Sequence, residues 1–345
     1  MVSKPRHIVF ITPGFAANEA DSTCMTYLQI YFKALLQNGY KLSIISLHYP
    51  YKKGVYYWNN CEVYSFTKHS KWEKPLLWLK AIKIIQSIHK SEPVVAIHSF
   101  WLGECALIGE WVSKKIRVKH INTLMGQDVL KGNWFSSILP IKKMNLVALS
   151  TFHQQVFLSN YKVKAPIVHF GVSEKNAIKN MPKTIDFIGV GALIPLKNYS
   201  LFIDIINEIN KKTSVKAIII GEGIEFDFLS KKIQELKLGQ NIQLLSLQNY
   251  EQVLCYLAQS KILLHTSQHE GFGMIFAEAL QQKTMVVSTP VGSIFESPNA
   301  ILENNKNDLI IACQKMLART YDESFSNPFK IEKTIEEYNK YYQNS

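Results

Sequence analysis

The chain has 345 residues, of which 47% are hydrophobic and 19% charged; this is too long for one ordinary domain and too apolar for a disordered or fibrous class. The net charge of +12 is uneven: residues 1–170 hold 21 Lys and Arg against 8 Asp and Glu, and residues 171–345 hold 18 against 19. Five scattered cysteines without a CxxC exclude a disulfide framework and a cysteine zinc site, and no apolar run reaches the length of a membrane span or a leader. A cytoplasmic protein is expected, with the inner face of the plasma membrane as the one peripheral location its charge suggests.

In chain order, strand-length apolar runs alternate with segments of helical period. The first half predicts strands over 7–12, 42–47, 61–66, 94–98, 118–123 and 146–150, separated by helices over 23–37, 75–89, 102–114 and 151–159. A polar stretch after Gly171 marks a boundary at 171–184. The rhythm then restarts, with strands over 185–190, 215–220, 242–245, 262–265 and 285–288 and helices over 201–209, 226–236, 252–259 and 273–280. This alternation predicts an α/β protein of two Rossmann-like domains with parallel sheets facing across a cleft, spanning residues 1–171 and 184–320. Residues 321–345 are expected to form a C-terminal helix able to pack back on the first domain.

The most informative segment runs His269-Glu270-Gly271-Phe272-Gly273-Met274-Ile275-Phe276-Ala277-Glu278. It follows a predicted strand and opens a helix, so its glycines let backbone NH groups meet an anion, and a diphosphate suits them. Glu270 precedes the turn and Glu278 lies about one and a half turns into the helix. The pair can bracket a nucleotide-sugar, ionised carboxylates accepting from sugar and ribose hydroxyls; alternatively Glu270 is a cap and Glu278 is solvated. His265 and His269 sit in no HExxH, the first loop TPGFAANEAD lacks GxGxxG, and there is no Walker loop. These disfavour a zinc hydrolase, a dinucleotide dehydrogenase and a P-loop NTPase.

The Glu-x7-Glu segment resembles the signature of glycosyltransferase family 4. Other marks follow in family order: Pro13-Gly14-Phe15, Ile97-His98-Ser99-Phe100-Trp101, Gly126-Gln127-Asp128, Gly191 to Asn198, Gly221-Glu222-Gly223 and Val291-Gly292-Ser293 with Glu296. The resemblance covers nearly the whole chain. It implies a GT-B fold and a hexosyltransferase-type enzyme that moves sugar from a nucleotide-diphosphate donor to a glycan or lipid-linked glycan, without metal or cofactor and with anomeric retention. It further implies catalytic or positioning roles for Glu270, Lys197, His98 and Asp128. Donor contacts fall to Gly14, Gly191, Lys197, Glu222, Glu270, Gly271, Phe272, Gly273, Met274 and Glu278. The departing phosphate itself can take the acceptor proton, so no protein base is required.

Three positions depart from the family pattern: Ala192 stands where the phosphate loop usually has a basic residue, Met125 where a histidine precedes Gly-x-Asp, and Phe100 where many members have a second histidine. Two alternatives remain open. One is a nucleotide-sugar epimerase or hydrolase on the same scaffold. The other is a non-enzymatic protein using the basic half to bind nucleic acid or a membrane surface; for an enzyme of the first kind no nucleic-acid partner is expected. The segment 69–83 mixes Trp, Leu and Ile with lysines, as an interfacial helix does, and equally as a helix packed on a sheet does.

Overall fold

The structure, a computed structural model, describes residues 6–67 and 70–343. The chain divides into two units, one comprising residues 1–171 with 331–345 and the other residues 172–330.

The first unit opens with β1 (Arg6–Gly14), α1 (Thr26–Gln37), β2 (Tyr40–Tyr49), β3 (Gly54–Trp58), β4 (Cys61–Ser65), α2 (Lys74–Ser91) and β5 (Val94–Phe100). It continues through α3 (Glu104–Ile116), β6 (Lys119–Thr123), a single turn α4 (Phe135–Ile138), β7 (Asn145–Val147) and α5 (Thr151–Tyr161). The sheet order is β3-β4-β2-β1-β5-β6-β7, parallel except for the edge hairpin β3–β4. β1 is an unbroken apolar run from Ile8 to Ile11, all fully buried, which is what a central parallel strand covered on both faces requires. The edge strand β3 was not expected from the sequence. Its run Val55-Tyr56-Tyr57-Trp58 is short, and in the structure it is an edge strand with Val55 and Tyr57 exposed.

The second unit holds β8 (Ile185–Val190), α6 (Tyr199–Asn210), β9 (Ala217–Ile220), α7 (Phe226–Glu235), β10 (Ile242–Leu245) and α8 (Tyr250–Gln259). β11 (Ser260–His265), α9 (Met274–Gln281), β12 (Met285–Ser288), β13 (Ala300–Leu302) and α10 (Lys306–Leu317) complete it. All six strands are parallel in the order β10-β9-β8-β11-β12-β13. In both sheets the strand order reverses beside the first strand, the point at which doubly wound sheets bind ligands beyond their carboxyl ends. One face of α6 enters the core of this unit, with Phe202, Ile203, Ile205, Ile206 and Ile209 buried.

The last helix, α11 (Ile331–Gln343), begins ten residues after the 321 expected from sequence and belongs to the first unit, packed on α1. Its Tyr338 and Tyr342 are fully buried. No described helix is long and apolar enough to cross a membrane.

Candidate active site

In the second unit the residues singled out by the sequence gather at the carboxyl ends of β8, β9 and β11. β8 runs into Gly191, and β9 into Gly221-Glu222-Gly223. A Cβ on Gly221 would lie 1.9 Å from the Gly191 carbonyl oxygen, and one on Gly223 would lie 2.3 Å from that of Leu193. Only glycine permits two loops to meet backbone to backbone in this way. Glu222 stands exposed at the rim, its Oε1 accepting from the Leu247 NH at 3.4 Å.

The loop after Gly191 is stapled to the end of β11. The Gln268 NH donates to the Leu196 carbonyl at 2.9 Å, and the Thr266 hydroxyl donates to the carbonyls of Asn198 and Lys197 at 2.9 and 3.2 Å. This fixes the Lys197 backbone, and its ammonium forms an ion pair with Glu270. The same carboxylate oxygen lies 3.1 Å from His265 Nε2 at the end of β11. Lys197 and Glu270 keep side-chain exposures of 19% and 14%, so the pair lines a surface that solvent still reaches. The glycine turn Val291-Gly292-Ser293 braces Glu270 from behind: a Cβ on Gly292 would lie 2.5 Å from the Phe272 carbonyl oxygen, and the Ser293 NH donates to that oxygen at 2.8 Å.

Burial alone would push the Glu270 carboxyl up; the His265 ring and the Lys197 ammonium outweigh it and hold the group down at about 2. His265 moves below its ordinary value, because burial outweighs Glu270, and is neutral at pH 7. The ionised pair is therefore Lys197 with Glu270. The sequence did not single out His265 as a member of this site; its one signal was a histidine at a strand end five residues before the glutamate.

Gly271 and Gly273 shape the turn into α9, with Gly273 at φ +78° and Met274 half-buried as the first helical residue. Here the Phe276 NH donates back to the Gly273 carbonyl at 2.9 Å, which leaves the NH groups of Met274 and Ile275 as the first-turn donors without an intrahelical acceptor. Phe272, expected to contact the donor, has its ring 4% exposed and edge-on to Phe329 at 5.3 Å, so such a contact falls to its backbone.

Glu278 is buried at 8% exposure, which removes the alternative in which it is solvated. Desolvation pushes its carboxyl up to about 7, and a hydrogen bond with Tyr250 only partly opposes this. The carboxylate is therefore not simply ionised at neutral pH. A raised carboxyl favours the folded state below its ordinary value of 4.5 and loses that advantage as pH rises through about 7. For Glu278 the difference is on the order of 3 kcal/mol between pH 4 and 8. Thermal unfolding at these two pH values should accordingly show a smaller loss of stability on going to pH 8 in Glu278→Gln than in the parent. An identical pH slope in both proteins would reject the buried, proton-holding state.

Gly14, His98 and Asp128 belong to the first unit. Gly14 ends β1, where a Cβ would lie 3.0 Å from Tyr49 Cβ. His98 is corrected from a catalytic to a core residue. It is fully buried, with Nδ1 2.6 Å from the Tyr342 hydroxyl and Nε2 2.8 Å from the Thr123 hydroxyl. Tyr342 in turn meets Tyr31 at 2.7 Å, and Thr123 meets Tyr338 at 2.8 Å. Both ring nitrogens are thus engaged inside the protein, and burial holds the imidazole neutral. Asp128 is half-buried, and its carboxylate accepts from the NH groups of Leu102 (2.8 Å), Gly126 (2.7 Å) and Met125 (3.1 Å), so it shapes this loop. Phe100, where many family members carry a histidine, is fully buried. Among the described residues no cluster of three or more His, Cys, Asp or Glu side chains could hold a metal ion.

Comparison with known proteins places the same residues in a family. Residues 172–344 match the family described as glycosyl transferases group 1, and residues 17–158 match glycosyl transferase 4-like. The uncharacterized glycosyltransferase MJ1178 of Methanocaldococcus jannaschii is 27% identical over 288 residues, covering 77% of this chain and 80% of that protein. The poly(ribitol-phosphate) alpha-N-acetylglucosaminyltransferase of Staphylococcus aureus is 32% identical over 147 residues, 41% of this chain and 29% of that protein. Among solved structures, the sucrose-phosphate synthase of Thermosynechococcus elongatus superposes with a TM-score of 0.77 at 15% identity over 98% of both chains. Anabaena Alr3699/HepE in complex with UDP and glucose gives 0.72 at 15% identity over 99% of this chain and all of that one.

Proposed function

Because the chain belongs to the group 1 glycosyltransferases and its two parallel-sheet units have the GT-B fold, we propose that it transfers a hexose from a nucleotide-diphosphate sugar to a glycan or lipid-linked glycan acceptor in polysaccharide assembly, in the cytoplasm and with retention of anomeric configuration. The observation that carries the donor half of this reading is the Lys197–Glu270 pair at the head of α9, under the Gly191 loop, with Glu278 farther along the same helix.

Breaking the bond between sugar and diphosphate leaves negative charge on the phosphate oxygen and positive charge on the sugar carbon. Fixed cations and NH groups aimed at that oxygen lower the barrier most. With Ala192 exposed where a basic residue commonly stands, Lys197 is the cation of this loop. Donor binding brings a phosphate to compete for the Lys197 ammonium. As the ammonium turns toward the diphosphate, the Glu270 carboxylate is freed to accept from sugar hydroxyls. Glu278, deeper along α9, accepts from the ribose diol, and those donors favour its ionised form. In a retaining transfer the departing phosphate accepts the acceptor's proton, so neither His98 nor Asp128 is needed as a base.

The first test is a thermal-shift screen of nucleotide-diphosphate sugars, starting from UDP-glucose and UDP-N-acetylglucosamine, because one structural neighbour is a complex with UDP and glucose and one relative is named an N-acetylglucosaminyltransferase. A donor at a hundred times its Kd stabilises by about 2.7 kcal/mol. Product analysis with and without acceptor then separates transfer from hydrolysis or epimerisation; sugar release or inversion at equal rates without acceptor would replace this reading with the hydrolase or epimerase. Lys197 and the α9 NH groups neutralise the diphosphate in this mechanism, so turnover should be unchanged in EDTA. Activity abolished by EDTA and restored by magnesium or manganese would show that a divalent ion does this work.

A further inference from the structure

We infer that the outer faces of α2 and α3 dock the first unit on an anionic lipid bilayer. The two helices lie on the same side of the sheet: Leu77, Ala81, Ile82, Ile85 and Ile88 of α2 share one core with Cys105, Ile108 and Val112 of α3. Their opposite faces are left to solvent, and on α2 that face is ordered. Trp72, in the capped turn that leads into α2, is 93% exposed, Leu76 59% and Leu79 49%. Lys80, Lys83 and Lys90 continue the stripe, all exposed. Spacings of three and four residues put these side chains on one helix face, apolar toward its start and cationic toward its end. α3 adds Trp111, 45% exposed, and the exposed Lys115 one turn on.

These cations are available. Lys74 and Lys114 are paired with Glu104 and Glu110, whereas Lys80, Lys83, Lys90 and Lys115 have no carboxylate at ion-pair distance among the described residues. Residues 1–170, which carry both helices, have 21 basic against 8 acidic side chains, and a field of that sign draws a negative surface from a distance. Exposed indole and leucine beside lysine is the pairing that enters the headgroup region, aromatic rings at the interface and ammonium groups on lipid phosphates. A nucleic acid would use the lysines but leave Leu76 and Leu79 in water. The other face of α2 packs on the sheet, so interfacial and core-packing roles belong to opposite sides of one helix; His69, at the start of the sequence segment, lies outside the described residues.

The experiment is flotation of the whole protein with phosphatidylcholine vesicles, with or without phosphatidylglycerol, and needs neither donor nor acceptor. Its outcome is therefore separable from the glycosyltransferase reading. Partition should favour the anionic vesicles by at least roughly tenfold, falling about twenty-five-fold in Lys80→Gln/Lys83→Gln at about fivefold per lysine. Trp72→Ala/Leu76→Ser should weaken it as well. The pair Lys237→Gln/Lys315→Gln, exposed lysines of the second unit, should leave it unchanged, and turnover of a soluble acceptor should survive in every variant. Equal partition to neutral and anionic vesicles, equal losses in the two lysine pairs, or binding to an oligonucleotide with none to vesicles would each overturn the proposal.

Discussion

Replacing Lys197 with Met is expected to lower kcat by roughly two to three orders of magnitude, the cost of removing one preorganised charge from a developing oxyanion. Two observations push the effect to the upper end. Ala192 offers no second cation in the same loop, and the neighbouring His265 is held neutral by burial. Stability should fall too, by about 1 to 3 kcal/mol, because the largely buried Glu270 carboxylate loses its ion-pair partner. The double variant Lys197→Met/Glu270→Gln removes the stranded charge. It should recover most of the lost stability and none of the lost turnover. A single variant with kcat within threefold of the parent would show that the diphosphate is neutralised elsewhere.

Glu270→Gln and Glu278→Gln are expected to separate cleanly. The Glu270 carboxylate, held at about 2 by His265 and Lys197, is ionised throughout the working range and, in the proposed donor pose, faces the sugar whose charge changes in the reaction. Its neutral isostere should lower kcat by roughly ten- to hundredfold with a modest change in donor KM. In the proposed donor pose Glu278 meets the ribose, whose charge does not change, so Glu278→Gln should raise donor KM by roughly tenfold at pH 8 and spare kcat. Because Glu278 sits near 7 and ribose hydroxyls favour its ionised form, donor KM in the parent should fall as pH rises from 5.5 to 8. In Glu278→Gln that slope should disappear. Parental kcat and KM in Glu270→Gln would remove it from the sugar subsite, and a KM slope unchanged by Glu278→Gln would remove Glu278 from the ribose.

Most of the architecture was legible because the parallel strands are written as short, largely apolar runs set apart by helical periods. Ile185–Val190, Ile242–Leu245 and Met285–Ser288 have the bounds read from sequence. The omissions were the two strands with little to bury and α10, whose four core residues Leu309, Ala312, Cys313 and Met316 are interrupted by polar ones. β13 has three residues, and β3 has an exposed face. Lys197 and Glu270 were both legible from local spacing, and their mutual pairing followed only once the Thr266 and Gln268 staples joined two loops some seventy residues apart. His98 and His265 show the limit of such reading. Each is a histidine near a strand end, and nothing local separates them. What decides is a helix more than two hundred residues away, whose Tyr342 takes the Nδ1 of His98, whereas His265 keeps company with Glu270. The state of Glu278 was hidden likewise, since it depends on how deeply α9 is covered and on Tyr250, which no motif marks.

The return of α11 to the first unit inverts the order in which the chain can be completed during synthesis. The second unit is one continuous stretch, residues 172–330, whereas the first needs residues 331–345 as well. On a ribosome the later-made unit has all its strands before the earlier-made one has its last helix. Until Tyr338 and Tyr342 emerge, His98, Thr123 and Tyr31 lack the hydroxyls that satisfy them, and buried polar groups without partners are costly. The nascent first unit is therefore left with these interior hydroxyl and imidazole positions unfinished until the last helix arrives.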